Sequence, residues 1–302
     1  MQQENRFAVL IDSDNISPKY IDEILEEMKN YGNLTYKRIY GDWTSQRMSS
    51  WKDVLLHTAI SPIQQYSYTQ GKNATDSAMI IDAMDILYTG DVEGFCIVSS
   101  DSDFTRLAVR LREAGMIVIG MGERKTPKAF TSACNIFKYI DILSKQEDGE
   151  SDDDSDISMT DVAVIESAIV DLISDTDSQK GMDIAELGNR LIKSFPDFDV
   201  RNYGYTKLST FLKSLGSISL RKTSSTLMAF SNVNLKDIEN IIVELIKESP
   251  KKTINMGELN NKLLKVCPNM NLRTFGFTKF QTLLENIDRV KIIPNSLNVT
   301  LK

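Results

Sequence analysis

The second half of the chain is written twice. A shift of 72 residues lays AELGNRLIKSFPDFDVRNYGYTKLSTFLKSL (185–215) over GELNNKLLKVCPNMNLRTFGFTKFQTLLENI (257–287). Over residues 182–215, 12 of 34 positions are identical, including Leu187/Leu259, Pro196/Pro268, Arg201/Arg273, Gly204/Gly276 and Lys207/Lys279. A repeat of this length is one supersecondary unit copied along the chain. Each copy reads as two helices, a turn at the proline and a third helix after the glycine. Two short β segments follow, ISLRK and LMAFS in the first copy, VKIIP and LNVTL in the second. Helices closed by a hairpin predict two small winged-helix-like α+β domains, at 161–234 and 235–302.

Ahead of the repeats lies SKQEDGESDDDSDISM (144–159), with seven acids and one lysine. Such a stretch buries too little apolar surface to offset its ordering entropy, and residues 144–160 are expected to be an acidic disordered linker. Residues 1–143 form the remaining domain. There, apolar runs (FAVLI at Phe7, LTYKRIY at Leu34, SPIQQYSY at Ser61, GFCIVS at Gly94, MIVIG at Met116) alternate with amphipathic stretches such as YIDEILEEMKNYG and RLAVRLREAG. Strand and helix in alternation predict an α/β fold, a parallel sheet sandwiched by helices.

The residue inventory narrows the chemistry. A single histidine, His57, leaves no material for most zinc sites or for Ser-His and Cys-His triads. Cys96, Cys134 and Cys267 are too few and too scattered for a disulfide framework, which fits a cytoplasmic protein. No apolar run approaches the ~20 residues of a membrane span, and no export signal is evident, so no membrane partner is expected. Catalysis in such a chain has to run on carboxylates, hydroxyls or lysine.

Carboxylates are concentrated where strands should end. The first run closes in VLIDSDN, with Asp12, Asp14 and Asn15; the second in IYGDW, with Asp42; the fourth in SSDSDF, with Asp101 and Asp103. Asp76 opens the helix before the fourth strand, in GKNATDSAMIIDAMD. An open parallel sheet gathers ligands at the carboxyl ends of its strands. One Asp of this kind is more simply a helix cap; acids at three strand ends and one helix start are poorly explained that way. Two unit charges ~4 Å apart repel by roughly 4 kcal/mol at an effective dielectric near 20, so a converging cluster requires protons or a cation. All-oxygen ligation without thiols points to Mg²⁺ or Mn²⁺, which can orient water against a phosphodiester. Along the helix, Asp82 and Asp85 lie roughly 240° and 180° around from Asp76, as surface or supporting groups.

Taken together, IDSDN, YGDW, GKNATD, VSSDSDF and GERKTPKAF…CNIFKYID make residues 6–143 resemble the NYN domain, a branch of the PIN-like metal-dependent ribonucleases. The resemblance implies a sheet of order 3-2-1-4-5 and an acidic pocket in which Asp12, Asp76 and Asp101 bind metal, with Asp103 as a fourth ligand and Asn15 holding a ligand or phosphate. GKNATD carries one residue more than the usual Lys-Gly-x-Asp form. The 72-residue copies, through FPDFDVRNYGYTKLSTFL and CPNMNLRTFGFTKFQTLL, are similar to OST-HTH/LOTUS domains. That family implies RNA partners, single-stranded or structured and G-rich, and protein partners in some members. PIN-like domains also pair, which makes a homodimer an open option.

The function expected is therefore a divalent-metal-dependent RNA endonuclease targeted by tandem LOTUS domains. Neither copy is strongly basic, with 8 basic against 9 acidic residues in 161–234 and 11 against 7 in 235–302, so RNA binding would depend on local groups. Arg201, Lys207, Arg273 and Lys279 are candidates beside aromatics able to stack on bases. The alternative for those aromatics is packing at the start of a helix. Near the acids, Trp43, Lys72 and Arg124 are further RNA-binding candidates. Two other classes compete: a noncatalytic RNA-binding or scaffold protein, and a haloacid-dehalogenase-type phosphatase suggested by two aspartates two apart in VLIDSDN. Ile16 and the lack of a following lysine motif count against the latter.

Overall fold

The computed structural model describes residues 4–66, 74–144, 159–175, 181–223, 226–231, 235–267, 270, 272, 277–294 and 296–302. Two compact units result, Met1–Thr160 with Ile192–Gly204, and Asp161–Leu191 with Tyr205–Lys302. Most of the expected linker, and also Lys72 and Arg273, lie outside the described residues.

The first unit alternates strand and helix as its apolar runs predict: β1 (Arg6–Asp12), α1 (Ile21–Lys29), β2 (Asn33–Gly41), α2 (Ser49–Thr58), β3 (Ser61–Gln64), α3 (Ala74–Thr89), β4 (Gly94–Val98), α4 (Thr105–Glu113), β5 (Ile117–Gly122), α5 (Lys128–Ala133), β6 (Ile136–Tyr139) and α6 (Ile140–Ser144). All five strand pairings are parallel, in the order β3-β2-β1-β4-β5-β6. The order 3-2-1-4-5 is present and β6 extends it by one strand.

The pleat divides β1 between two cores. Ala8 and Leu10 pack with Met79 and Ala83 of α3, Leu107 of α4 and Phe130 of α5. Phe7, Val9 and Ile11 pack on the other face with Ile21 and Ile24 of α1 and Trp51 of α2. A strand covered on both faces needs no polar alternation, and this is why FAVLI reads as an unbroken apolar run. Because β2 and β4 flank β1 on opposite sides, the strand order reverses beside it, and the carboxyl ends of β1 and β4 lie at the switch point where open parallel sheets gather ligands.

The two copies share one pattern. The first has α7 (Val162–Asp175), α8 (Ile184–Ser194) and α9 (Leu208–Ser214), with a sheet of order β7-β9-β8 from Met182–Asp183, Thr226–Ser231 and Ile218–Thr223. The second has α10 (Leu235–Lys247), α11 (Met256–Val266) and α12 (Phe280–Glu285), with order β10-β12-β11 from Thr253–Asn255, Asn298–Leu301 and Val290–Ile292. The expected hairpins are joined by a strand of two or three residues ahead of the second helix, too short to announce itself in the sequence. Ile238, Ile242 and Ile246 form one stripe of α10 and bury against Leu259, Leu263, Leu283, Leu284 and Val299. Among the described residues no helix is long and apolar enough to cross a membrane.

Candidate metal centre

Asp12 is the last residue of β1 and is fully buried. Its Oδ2 accepts from Asn15 Nδ2 at 2.7 Å and from Ser99 Oγ at 2.8 Å, and its Oδ1 accepts the Asp14 backbone N–H at 3.0 Å. Burial pushes this carboxyl above its ordinary value, while the donors from Asn15, Ser99 and Asp14 work in the opposite direction. Ser99 follows β4 and is fully buried. It also accepts the Asp101 backbone N–H at 3.1 Å, so one hydroxyl ties the ends of β1 and β4 together.

Asp101 accepts the Asp103 N–H at 2.9 Å and caps the short 3-10 turn Ser102–Phe104 that leads into α4. Capping and clustering are thus both realised at SSDSDF. Asp101 and Asp103 meet Asp76, in the first turn of α3, with one oxygen of each within 4.8 Å of the others. Asp76 is half-buried, and its pKa is pushed up to about 6, first by burial and then by the charges of Asp12, Asp101, Asp103 and Asp14. Three carboxylates at this spacing supply hard oxygen ligands that suit Mg²⁺ or Mn²⁺. Asp12 is adjacent, turned toward Asn15 and Ser99.

Packing sets the position of α3. Asp82 accepts hydrogen bonds from the Tyr40 hydroxyl and from Arg38, both on the interior strand β2, so it fastens the helix carrying Asp76 to the sheet. Asp42 accepts from Thr44 Oγ1 at 2.5 Å and Gln64 Nε2 at 3.0 Å, which closes the loop after β2. Trp43 donates its indole N–H to Ile63 O at 3.0 Å and packs against the core beside α2. Arg124 faces Asp141, Nε to Oδ2 at 3.5 Å.

Among the repeat candidates, Lys207 and Lys279 are exposed and occupy equivalent positions ahead of α9 and α12. Arg201 is engaged with Glu27 and Asp199. The aromatics act largely as core: Tyr203 leans on Phe198, Tyr205 meets Phe211 edge-on at 5.5 Å, and Phe277 packs against the second copy's core. Ser99 and Tyr40 are the supporting residues that reading along the chain misses. The serine doublet before Asp101 is the only local sign of the former, and nothing near Tyr40 in sequence signals its partner on α3.

Comparison with known proteins bears on both halves. The NYN domain model matches residues 6–143, and the OST-HTH/LOTUS domain model matches 160–227 and 234–301. An uncharacterized protein of Methanocaldococcus jannaschii is 27% identical over 141 residues, covering 45% of this chain and 55% of that protein; the chain spans about half the length of this relative. A crystal structure of a protein of unknown function from Vibrio parahaemolyticus aligns over 46% of this chain and 96% of its own, with 18% identity and a TM-score of 0.40.

Proposed function

Because the chain joins an NYN domain, nuclease-like in fold, to two OST-HTH/LOTUS domains, which imply RNA binding, we propose that it is a divalent-metal-dependent endoribonuclease. The observation that carries this reading is the meeting of Asp76, Asp101 and Asp103 at the carboxyl ends of the central strands. Asp76, Asp101 and Asp103 would hold Mg²⁺ or Mn²⁺, with Asp12 completing the acidic wall. When bound, such an ion neutralises the carboxylates and polarises a phosphate oxygen and a water. Asn15 and Ser99 aim Asp12 by donating to the same oxygen and work against the effect of its burial, and the Tyr40–Asp82 contact holds α3 so that Asp76 stays opposite Asp101. Lys207 and Lys279, exposed on the repeats, would contact the RNA backbone.

The test incubates purified full-length chain with labelled RNAs and Mg²⁺ or Mn²⁺, alongside Asp12→Asn and Asp101→Asn. Internal cleavage by wild type that falls by about 10²-fold or more in both variants is expected. Identical products from all three proteins, or none from any, would overturn the nuclease reading; RNA retention without cleavage would leave a binding protein. A para-nitrophenyl phosphate assay on the same samples separates a phosphatase, which would release nitrophenolate.

A further inference from the structure

The segment Ile192–Gly204 belongs to the first repeat by sequence, yet it is part of the first compact unit. Four charged side chains account for this. Lys138, in the middle of β6, is 9% exposed, and its Nζ lies 2.5 Å from Asp199 Oδ2 and 3.7 Å from Glu27 Oε1. Arg201 sets its two terminal nitrogens against the two oxygens of Glu27, each at 3.0 Å, and reaches Asp199 through Nη2 at 2.6 Å and Nε at 3.0 Å. Two cations and two carboxylates thus close a charge-balanced, mostly buried group joining α1, β6 and the 3-10 turn Val200–Tyr203. Mutual pairing is what makes burial of such charges tolerable, and removing one partner strands the others.

Further hydrogen bonds reinforce the seat. The Phe137 N–H on the outer strand β6 donates to Pro196 O at 2.7 Å, which closes part of an otherwise open sheet edge. Asp197 accepts the Thr160 N–H and hydroxyl at 3.0 Å, and the Tyr203 hydroxyl donates to Thr160 O at 2.7 Å. The internal repeat supplies a control. At the positions equivalent to Asp197, Asp199 and Tyr203 the second copy has Asn269, Asn271 and Phe275. The two carboxylates and the hydroxyl that the first copy brings to the seat are therefore replaced in the second by amides and a bare ring, while the arginine is kept.

We propose that Pro196–Gly204 is an intramolecular anchor, a plug that Asp199 and Arg201 fasten to Glu27 and Lys138 of the same chain, and that Arg201 is thereby withdrawn from RNA. The anchor stands on the contacts alone; the withdrawal rests on the RNA-binding reading above. Against the opposing effect of burial, pairing with Arg201 and Lys138 holds the Asp199 carboxyl well below the usual carboxylate range, and pairing with Asp199 and Glu27 raises the Arg201 guanidinium.

Hydrogen–deuterium exchange on the full-length chain tests this, comparing wild type with Asp199→Asn, which copies the second repeat, and with Arg201→Met. In both variants, exchange in peptides covering 196–204 and 136–139 is expected to rise by about tenfold or more while β1 and β4 keep their protection. Unchanged protection at 196–204 overturns the anchor. If a variant loses protection throughout, Arg201→Lys decides: it keeps the charge but not the two-toothed fork, and wild-type protection in it also overturns the anchor. Binding of labelled poly(U) and of a G-rich strand should change by less than about twofold in Arg201→Met; a drop of about tenfold with protection retained means that Arg201 contacts RNA. If wild type binds neither strand, the RNA reading fails while the exchange data still judge the anchor.

Discussion

Replacing Asp76 by Asn should stabilise the metal-free protein. Its pKa rises from 3.8 to about 6 because burial and four neighbouring acids disfavour the charged form. Between these values the folded chain keeps a proton that the unfolded chain has released, so stability falls as pH climbs through the window and levels off above it. A rise of this size corresponds to ~3 kcal/mol at full effect. Water reaches the half-exposed carboxyl and screens its neighbours, which reduces the cost to ~1 kcal/mol. The amide introduced by Asp76→Asn carries no charge and escapes it. In chelator near neutral pH, thermal unfolding of the first unit should therefore shift upward by ~2–4 °C in Asp76→Asn, and the gap should close near pH 4, where wild type is protonated. Adding Mn²⁺ reverses the order: wild type gains by mass action, ~2.7 kcal/mol at a hundredfold excess over the dissociation constant, and the variant gains less. A variant less stable than wild type in chelator at neutral pH, or a gap that does not change with pH, would refute the argument that repulsion at the cluster is what the cation relieves.

Three further outcomes follow from neighbouring contacts. Ser99→Ala removes the hydroxyl shared by Asp12 and Asp101; it should cost ~1 kcal/mol by urea titration and weaken Mn²⁺ binding by about tenfold in calorimetry. Gly41→Ala would place a methyl 2.3 Å from Ser13 Oγ, which donates to Tyr40 O at 2.6 Å; a loss of ~1–3 kcal/mol with an unchanged denaturant slope is expected. Leu283→Ala opens the fully buried core of the second repeat and should cost ~2–5 kcal/mol there, visible as early exchange in α10 to α12 while β1 stays protected.

What could be read along the chain was local and periodic. Phe7 to Ile11 announces a strand covered on both faces, and the recurrence of Pro196, Gly204 and Lys207 at Pro268, Gly276 and Lys279 announces a duplicated helical unit. The acids were legible for a related reason: parallel strands in one sheet point their carboxyl ends the same way, so Asp12 and Asp101 had to share an edge once β1 and β4 were paired. Where side chains of different elements converge is not periodic information, and only packing brought Asp76, Asp101 and Asp103 within one ion's reach while turning Asp12 toward Ser99. The same limit hid β6. A lysine inside IFKY looks like surface until Asp199 and Glu27, far away in sequence, neutralise it. Arg201 reads as a basic residue among aromatics, the usual look of an RNA contact, and its partner Glu27 stands 174 positions earlier. Composition and spacing determined which elements form and where acids collect. Which charges meet was left to the tertiary structure, because an ion pair depends on distances that chain order does not encode.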